Sequence, residues 1–188
     1  MNQLYQTLED RSNPDEIESY GPFKCRTATS WLGDGYYFWD SFLELAHFWG
    51  KNSTYSNYII CSAEAELNDG NCYDLVGNIN HLKDLRAITE LMEKEGLIDE
   101  FTSVRRIITF MVTRNLFQHS AIRAIGVNSI SDKKENSSFT MRFKFDSKLS
   151  AYLDILPPIQ ICIINCSNVK LSKYKIIYPD LYAEGYLV

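Results

Sequence analysis

Gly33-Asp34-Gly35-Tyr36-Tyr37-Phe38 is a glycine-flanked turn that runs straight into an aromatic stretch. Two glycines around one residue allow backbone angles and a close approach that a Cβ forbids. The side chains directly after them are then free to flank a planar ring. Taken alone, the pattern equally fits a tight turn before an ordinary core strand. The aromatics continue outward through Trp39, Phe42, Phe48, Trp49, Tyr55 and Tyr58. That density suits either a core or a pocket that stacks a flat ligand.

On either side of this turn the periodicities alternate between strand and helix. Leu4 to Thr7 reads as an opening strand. Asn13-Pro14-Asp15-Glu16 reads as a helix start, with Asn13 as cap and acids beside the helix dipole, and Gly21-Pro22 ends it. Phe42, Leu45, Ala46 and Trp49 recur at helical spacing over Ser41 to Gly50, with Gly50 as C-terminal cap. Tyr58 to Ala65 is a strand bounded by Asn57 and the turn Asn68-Asp69-Gly70. His81 to Glu95 and Asp99 to Thr113 are amphipathic helices, the second burying Phe101, Val104, Ile107, Ile108 and Met111. Ala121 to Val127 is a further strand. Phe139, Met141, Phe143 and Phe145 alternate with polar residues as in a half-buried strand. Ile159 to Ile164 is a β-branched buried run, and Lys175 to Tyr178 closes the series. Strands outnumber helices, and the helices sit in blocks between them, which predicts an α+β fold in one domain over 1–188.

The bulk properties exclude several classes. A net charge of −5 argues against a broad electrostatic grip on nucleic acid. Arg105, Arg106, Arg114, Arg123, Lys133 and Lys134 read as solvated charge, with a local basic groove as the alternative. Five cysteines form no Cys-x-x-Cys pair, and with three histidines they assemble no metal-site spacing. No metal is expected. Free buried thiols point to a reducing compartment. The N-terminus lacks the features of a signal peptide, and no apolar run reaches the roughly 20 residues that span a bilayer. The expectation is a cytoplasmic protein with no membrane partner.

Gly33 to Phe38, with Ala46 and Phe48 in the following helix, resembles the Gly-x-Gly-x-Tyr-Phe…Ala-x-Tyr block of the diphtheria-toxin-like ADP-ribosyltransferases and poly(ADP-ribose) polymerases. Two further blocks follow the family's order. Leu4-Tyr5-Gln6-Thr7 resembles its opening strand, with Gln6 where histidine or arginine is usual. Ile159 to Ile164, followed by Asn168-Val-Lys-Leu171, resembles the strand of the catalytic glutamate, and Gln160 falls on that glutamate. The resemblance implies split antiparallel sheets with flanking helices and NAD as the bound substrate. Nicotinamide would lie between Tyr37 and Phe48, its amide held near Thr7. Gly33, Gly35, Tyr36, Phe38 and Gln6 would complete the cofactor site, and Gln160 and Tyr37 would be the catalytic pair.

In such enzymes the glutamate binds a ribose hydroxyl and favours the positive charge that grows as the glycosidic bond breaks. Glutamine keeps the hydrogen bonding and brings no charge. Mono-ADP-ribosyltransferases without the glutamate occur in the family. The resemblance therefore implies a mono-ADP-ribosyltransferase, as in a bacterial toxin or defence effector, or else an inactive NAD or ADP-ribose reader of the same fold. The acceptor would be a macromolecule, with protein favoured over nucleic acid by the net acidity, and an antitoxin is a conceivable partner.

Other residues carry weaker signals. Lys24 and Arg26 offer charge-assisted donors for a pyrophosphate, with solvated charge as the alternative. Glu64 and Glu66 read as exposed-face glutamates, His47 as facing solvent or a backbone carbonyl, and Asp74 as the cap of a following turn. No nucleophile–base spacing supports a hydrolase triad.

Overall fold

The computed structural model describes residues 1–26, 30–126 and 142–183. Nine strands and five helices are defined among them: β1 Asn2–Glu9, α1 Pro14–Tyr20, β2 Tyr36–Asp40, α2 Leu43–Asn52, β3 Tyr58–Ala65, β4 Cys72–Asp74, α3 Ile79–Lys94, α4 Val104–Thr113, β5 Ala121–Ile125, β6 Arg142–Lys144, β7 Tyr152–Asp154, β8 Ile159–Ile163, β9 Ser172–Tyr178 and α5 Asp180–Ala183. The class is α+β.

Seven strands form one sheet in the order β4-β5-β8-β2-β1-β3-β9, and β6 and β7 pair separately. Neighbours in the large sheet run antiparallel except β4 and β5, which are parallel. Antiparallel pairing was expected throughout. The long excursion through α3 and α4 returns the chain alongside β4, and such a crossover is what a parallel neighbour requires.

Strand β8 is buried at all five positions, as its β-branched run predicts, because both of its faces are covered. On one face Ile161 and Ile163 join Leu4, Phe38, Ala63 and Val169. On the other, Cys162 joins Leu32, Tyr73, Met92, Ile108 and Met111 beneath α3 and α4. Burying each such aliphatic side chain stabilises the fold by about 1.5–3 kcal/mol. Helix α2 lies across β1 and β3, anchored where Thr7 Oγ1 donates to the carbonyl of Ala46 at 3.0 Å.

Several local expectations are corrected. Helix α4 begins at Val104, not Asp99, because Asp99 Oδ1 accepts from the Phe101 amide at 3.0 Å and Ser103 caps the helix through the Arg106 amide. Phe101 therefore stays outside the helix and is 77% exposed. Gly50 lies inside α2, where any Cβ would overlap the Tyr58 ring, so it is a packing glycine and not a cap. Asn13 donates to Glu16 and makes no side-chain cap to the helix backbone. Phe143 and Phe145 are exposed, so their alternation marks no buried face among the described residues. The rest of that segment, 139–141, lies outside the described residues.

The feature that positions a site is a divergence in the sheet. Strands β1 and β2 pair only at Leu4 with Asp40 and at Tyr5 with Trp39. Beyond this point β1 continues along β3, while Tyr36 to Trp39 pair with β8. The two strands part there, and a cleft opens between them.

Candidate functional site

The cleft has a volume of about 740 Å³. One wall is β1, through Gln6, Thr7 and Leu8; the other is β2 and β8, through Tyr37, Trp39 and Gln160. Phe23, Lys24, Cys25 and Arg26 also line it, with Trp31, Trp49, Tyr55 and Arg11. Its character is aromatic and cationic. Among the described lining residues there is no aspartate or glutamate.

The glycine turn shapes this cleft without lining it. Gly33 takes a φ of +98°, a conformation natural only to glycine. Gly35 is bonded to Cys25 in both directions, at 2.8 and 3.1 Å. A Cβ on Gly35 would collide with Cys162 Sγ and stand 2.9 Å from the Ile163 carbonyl oxygen. Both glycines are therefore needed for backbone reasons, and neither lines the cleft.

Strand alternation separates the residues that follow. Tyr37 turns into the cleft, with its hydroxyl donating to Gly33 O at 2.8 Å and accepting from Leu32 N at 2.9 Å. Burial first, then the neighbouring Cys162, raises the pKa of this phenol above its ordinary value. Its ring is presented, but its proton is committed to the turn. Tyr36 points the opposite way and packs on the Leu4–Ile161 cluster, which removes it from the cofactor set. Phe38 borders the cleft yet is 1% exposed, so its side chain is core. Cys162 is pushed up to about 12 by burial, which leaves it a neutral thiol and no nucleophile.

Gln6 lines the cleft but has nothing left to offer a ligand. Its Nε2 donates to the Phe23 and Tyr37 carbonyls at 2.9 and 3.4 Å, and its Oε1 accepts from Phe23 N at 3.1 Å and Tyr174 at 2.8 Å. A primary amide has two N–H bonds and two lone pairs, and all four are used. It clamps the Phe23 segment to β1. Gln160, 8% exposed on β8, accepts from Trp31 Nε1 at 2.8 Å.

Phe48 does not line this cleft. Phe48 borders a second recess of about 600 Å³ with His47, Lys51, Tyr58 and Tyr178, on the other side of α2. Thr7 fixes the rotation of α2 through Ala46, and one turn later it is Trp49 that reaches the cleft. Trp49 is 43% exposed and tilts against Trp39, ring centres 6.2 Å apart. His47 meets the Tyr58 hydroxyl at 3.1 Å, not a carbonyl or solvent alone. Burial first, then Lys51, lowers its pKa.

Lys24 and Arg26, read as donors for a pyrophosphate or as solvated charge, both line the cleft, while Arg11 also pairs with Glu9 at 2.6 Å. Glu64 and Glu66 pair with Lys173 and Lys170 at 2.8 and 2.6 Å, away from the cleft. Asp74 caps the turn after it, accepting from Val76 and Gly77 at 2.8 and 3.0 Å. It also holds Arg123, whose Nε bonds the buried Asp40 at 2.7 Å. Sequence reasoning missed Trp31, Trp49 and Phe23 as cleft residues. Trp49 carried a helical signal, but Trp31 meets its partner across 129 residues. No group of three or more potential metal ligands occurs among the described residues, and no described helix is long and apolar enough to cross a membrane. Compared with known proteins, the chain matches no family model, no curated protein and no solved structure.

Proposed function

We propose that this chain is a protein of the ADP-ribosyltransferase type that binds NAD in the cleft and passes ADP-ribose to a macromolecular acceptor. One observation carries the reading: Gln6, Tyr37 and Gln160, from three blocks far apart in sequence, come from three adjacent strands and border a single cleft. The resemblance requires that convergence, and no local property of the chain demands it. The parting of β1 from β2 beyond Tyr5 supports this reading, within what is one seven-stranded sheet.

The chemistry of the walls supports the same ligand. Tyr37 and Trp49 supply faces for a flat ring. Lys24 and Arg26 supply charge-assisted donors for a pyrophosphate. Gln160 is the group for the ribose beside the scissile bond. Without a carboxylate there, the positive charge of glycosidic cleavage loses about 3 kcal/mol of stabilisation, by analogy with other preorganised groups. Turnover is accordingly slow and rests on positioning. The net charge of −5 favours a protein acceptor over nucleic acid.

The test is nicotinamide release from NAD by the purified chain with cell extract, beside calorimetry with NAD. Release that is lost in Gln160→Ala supports transfer. The lack of a carboxylate among the described lining residues favours a second reading, a reader that binds the dinucleotide without cleaving it. Binding without release selects that reading. A folded chain that neither binds NAD nor releases nicotinamide ends both.

A further inference from the structure

Gln160 sits near the middle of the large sheet, opposite Trp39 on one side and Ala124 on the other. It is more than nine-tenths buried, so the orientation of its amide matters. The bond from Trp31 Nε1 decides that orientation. An indole N–H donates and cannot accept, so only the amide oxygen can face it. With its oxygen taken by the indole, the amide nitrogen is the group that Gln160 has left for the cleft it lines.

Trp31 is itself held. Its ring lies against the backbone of Gly126, where any Cβ would overlap the indole. The preceding carbonyl, Ser30 O, accepts from Arg105 Nη1 at 3.1 Å. The following amide, Leu32 N, donates to the Tyr37 hydroxyl at 2.9 Å. Bonds on both sides and a flat packing surface therefore fix the direction of the indole N–H.

We propose that Trp31 is a positioning residue that locks Gln160 as a hydrogen-bond donor, so that the ligand atom seated at this point of the cleft is an oxygen acting as acceptor. Assigning that oxygen to the ribose of NAD rests on the function proposed above. The polarity itself does not. A site built on glutamate accepts from the ligand hydroxyl at this point, whereas this one donates to the ligand oxygen. Trp31 sets the sign of that interaction without touching the ligand at Gln160's position.

Two measurements on the full chain decide it. In the ligand-free protein, the Trp31 indole proton is followed by hydrogen exchange in NMR spectra of the wild type and Gln160→Met. Removing the acceptor is expected to speed its exchange about tenfold or more. In the second, NAD affinity is measured by calorimetry for the wild type, Trp31→Phe, Gln160→Met and the double variant, with thermal melts confirming the fold. Each single change is expected to weaken binding about fivefold to tenfold, and the double variant no further than Gln160→Met. A purely structural role for Trp31 would give losses that multiply. Unchanged indole exchange in Gln160→Met, or multiplying losses, overturns the proposal. If wild type fails to bind NAD at all, the functional reading falls, and the exchange measurement still decides the polarity.

Discussion

The hydroxyl of Tyr37 donates to the carbonyl oxygen of Gly33 at 2.8 Å, so the first inward-facing residue of β2 closes the turn that leads into it. The Tyr37 hydroxyl oxygen in turn accepts from Leu32 N at 2.9 Å, making Tyr37 both a wall of the cleft and the latch of its own loop. Tyr37→Phe should then keep the ring and lose the latch. We expect a loss of about 1–2 kcal/mol in stability from the unmet backbone groups. Denaturant unfolding checks this, and NAD affinity should change by less than the ring's removal would cause. Tyr37→Ala should lose about 3 kcal/mol and the stacking face together. Equal stability of the Phe variant and wild type would contradict the latch.

Gly35→Ala should be among the most damaging single-methyl changes in the chain. The new Cβ meets Cys162 Sγ and the Ile163 carbonyl, and a backbone oxygen cannot move aside without disturbing the β2–β8 pairing. Overpacking of this kind costs about 1–3 kcal/mol. Adding Cys162→Ala should recover part of the loss, because it frees the sulfur contact and leaves the carbonyl one. Chemical denaturation midpoints of the single and double variants measure the difference.

The rotation of α2 predicts opposite results for two neighbouring aromatics. Trp49→Ala should weaken NAD binding by about 1–3 kcal/mol, the range found when an aromatic is removed from a stacked base. Phe48→Ala should leave NAD affinity near the wild-type value, since Phe48 borders the recess beyond the helix. Titration calorimetry on both separates the pair. A loss confined to Phe48→Ala would return the stacking role to that residue.

Stability should fall as the solution is acidified below neutrality. Burial first, then the charge of His81, holds the His119 pKa below its ordinary value of 6.5. The unfolded chain therefore binds more protons between the two values, and stability is complete above about 6.5 and declines below it. His47 is shifted in the same direction and adds to the slope. Thermal midpoints at about pH 7.5 and 5.5 should differ by more in wild type than in His119→Phe, which keeps a ring against Tyr73 and cannot titrate. Identical pH dependence in the two proteins would remove His119 from the account.

Much of the fold was legible from periodicity. Tyr58 to Ala65 forms a strand over the expected span, and the β-branched run from Ile159 is buried throughout. The short strands β4 and β7 were not readable, because three residues carry too little pattern to count. In the site, Tyr37 and Gln160 were found from the sequence, and both border the cleft. Gly33 and Gly35 were grouped with them through the resembled Gly-x-Gly-x-Tyr-Phe block, and Tyr36 by its place within it. Strand alternation turns Tyr36 to the opposite face, and the glycines serve the turn itself.

By itself the sequence determined the glycine turn, the aromatic strand after it and the α+β class, since these follow from local sterics and hydrophobic period. Tertiary structure alone decided what those side chains do. It consumed the whole amide of Gln6 on Phe23, Tyr37 and Tyr174. It turned Trp49 rather than Phe48 into the cleft, and it set an indole donor from Trp31 against Gln160. Hydrogen-bond polarity and helix rotation depend on partners tens of residues away, and no local pattern encodes the direction in which a side chain meets them.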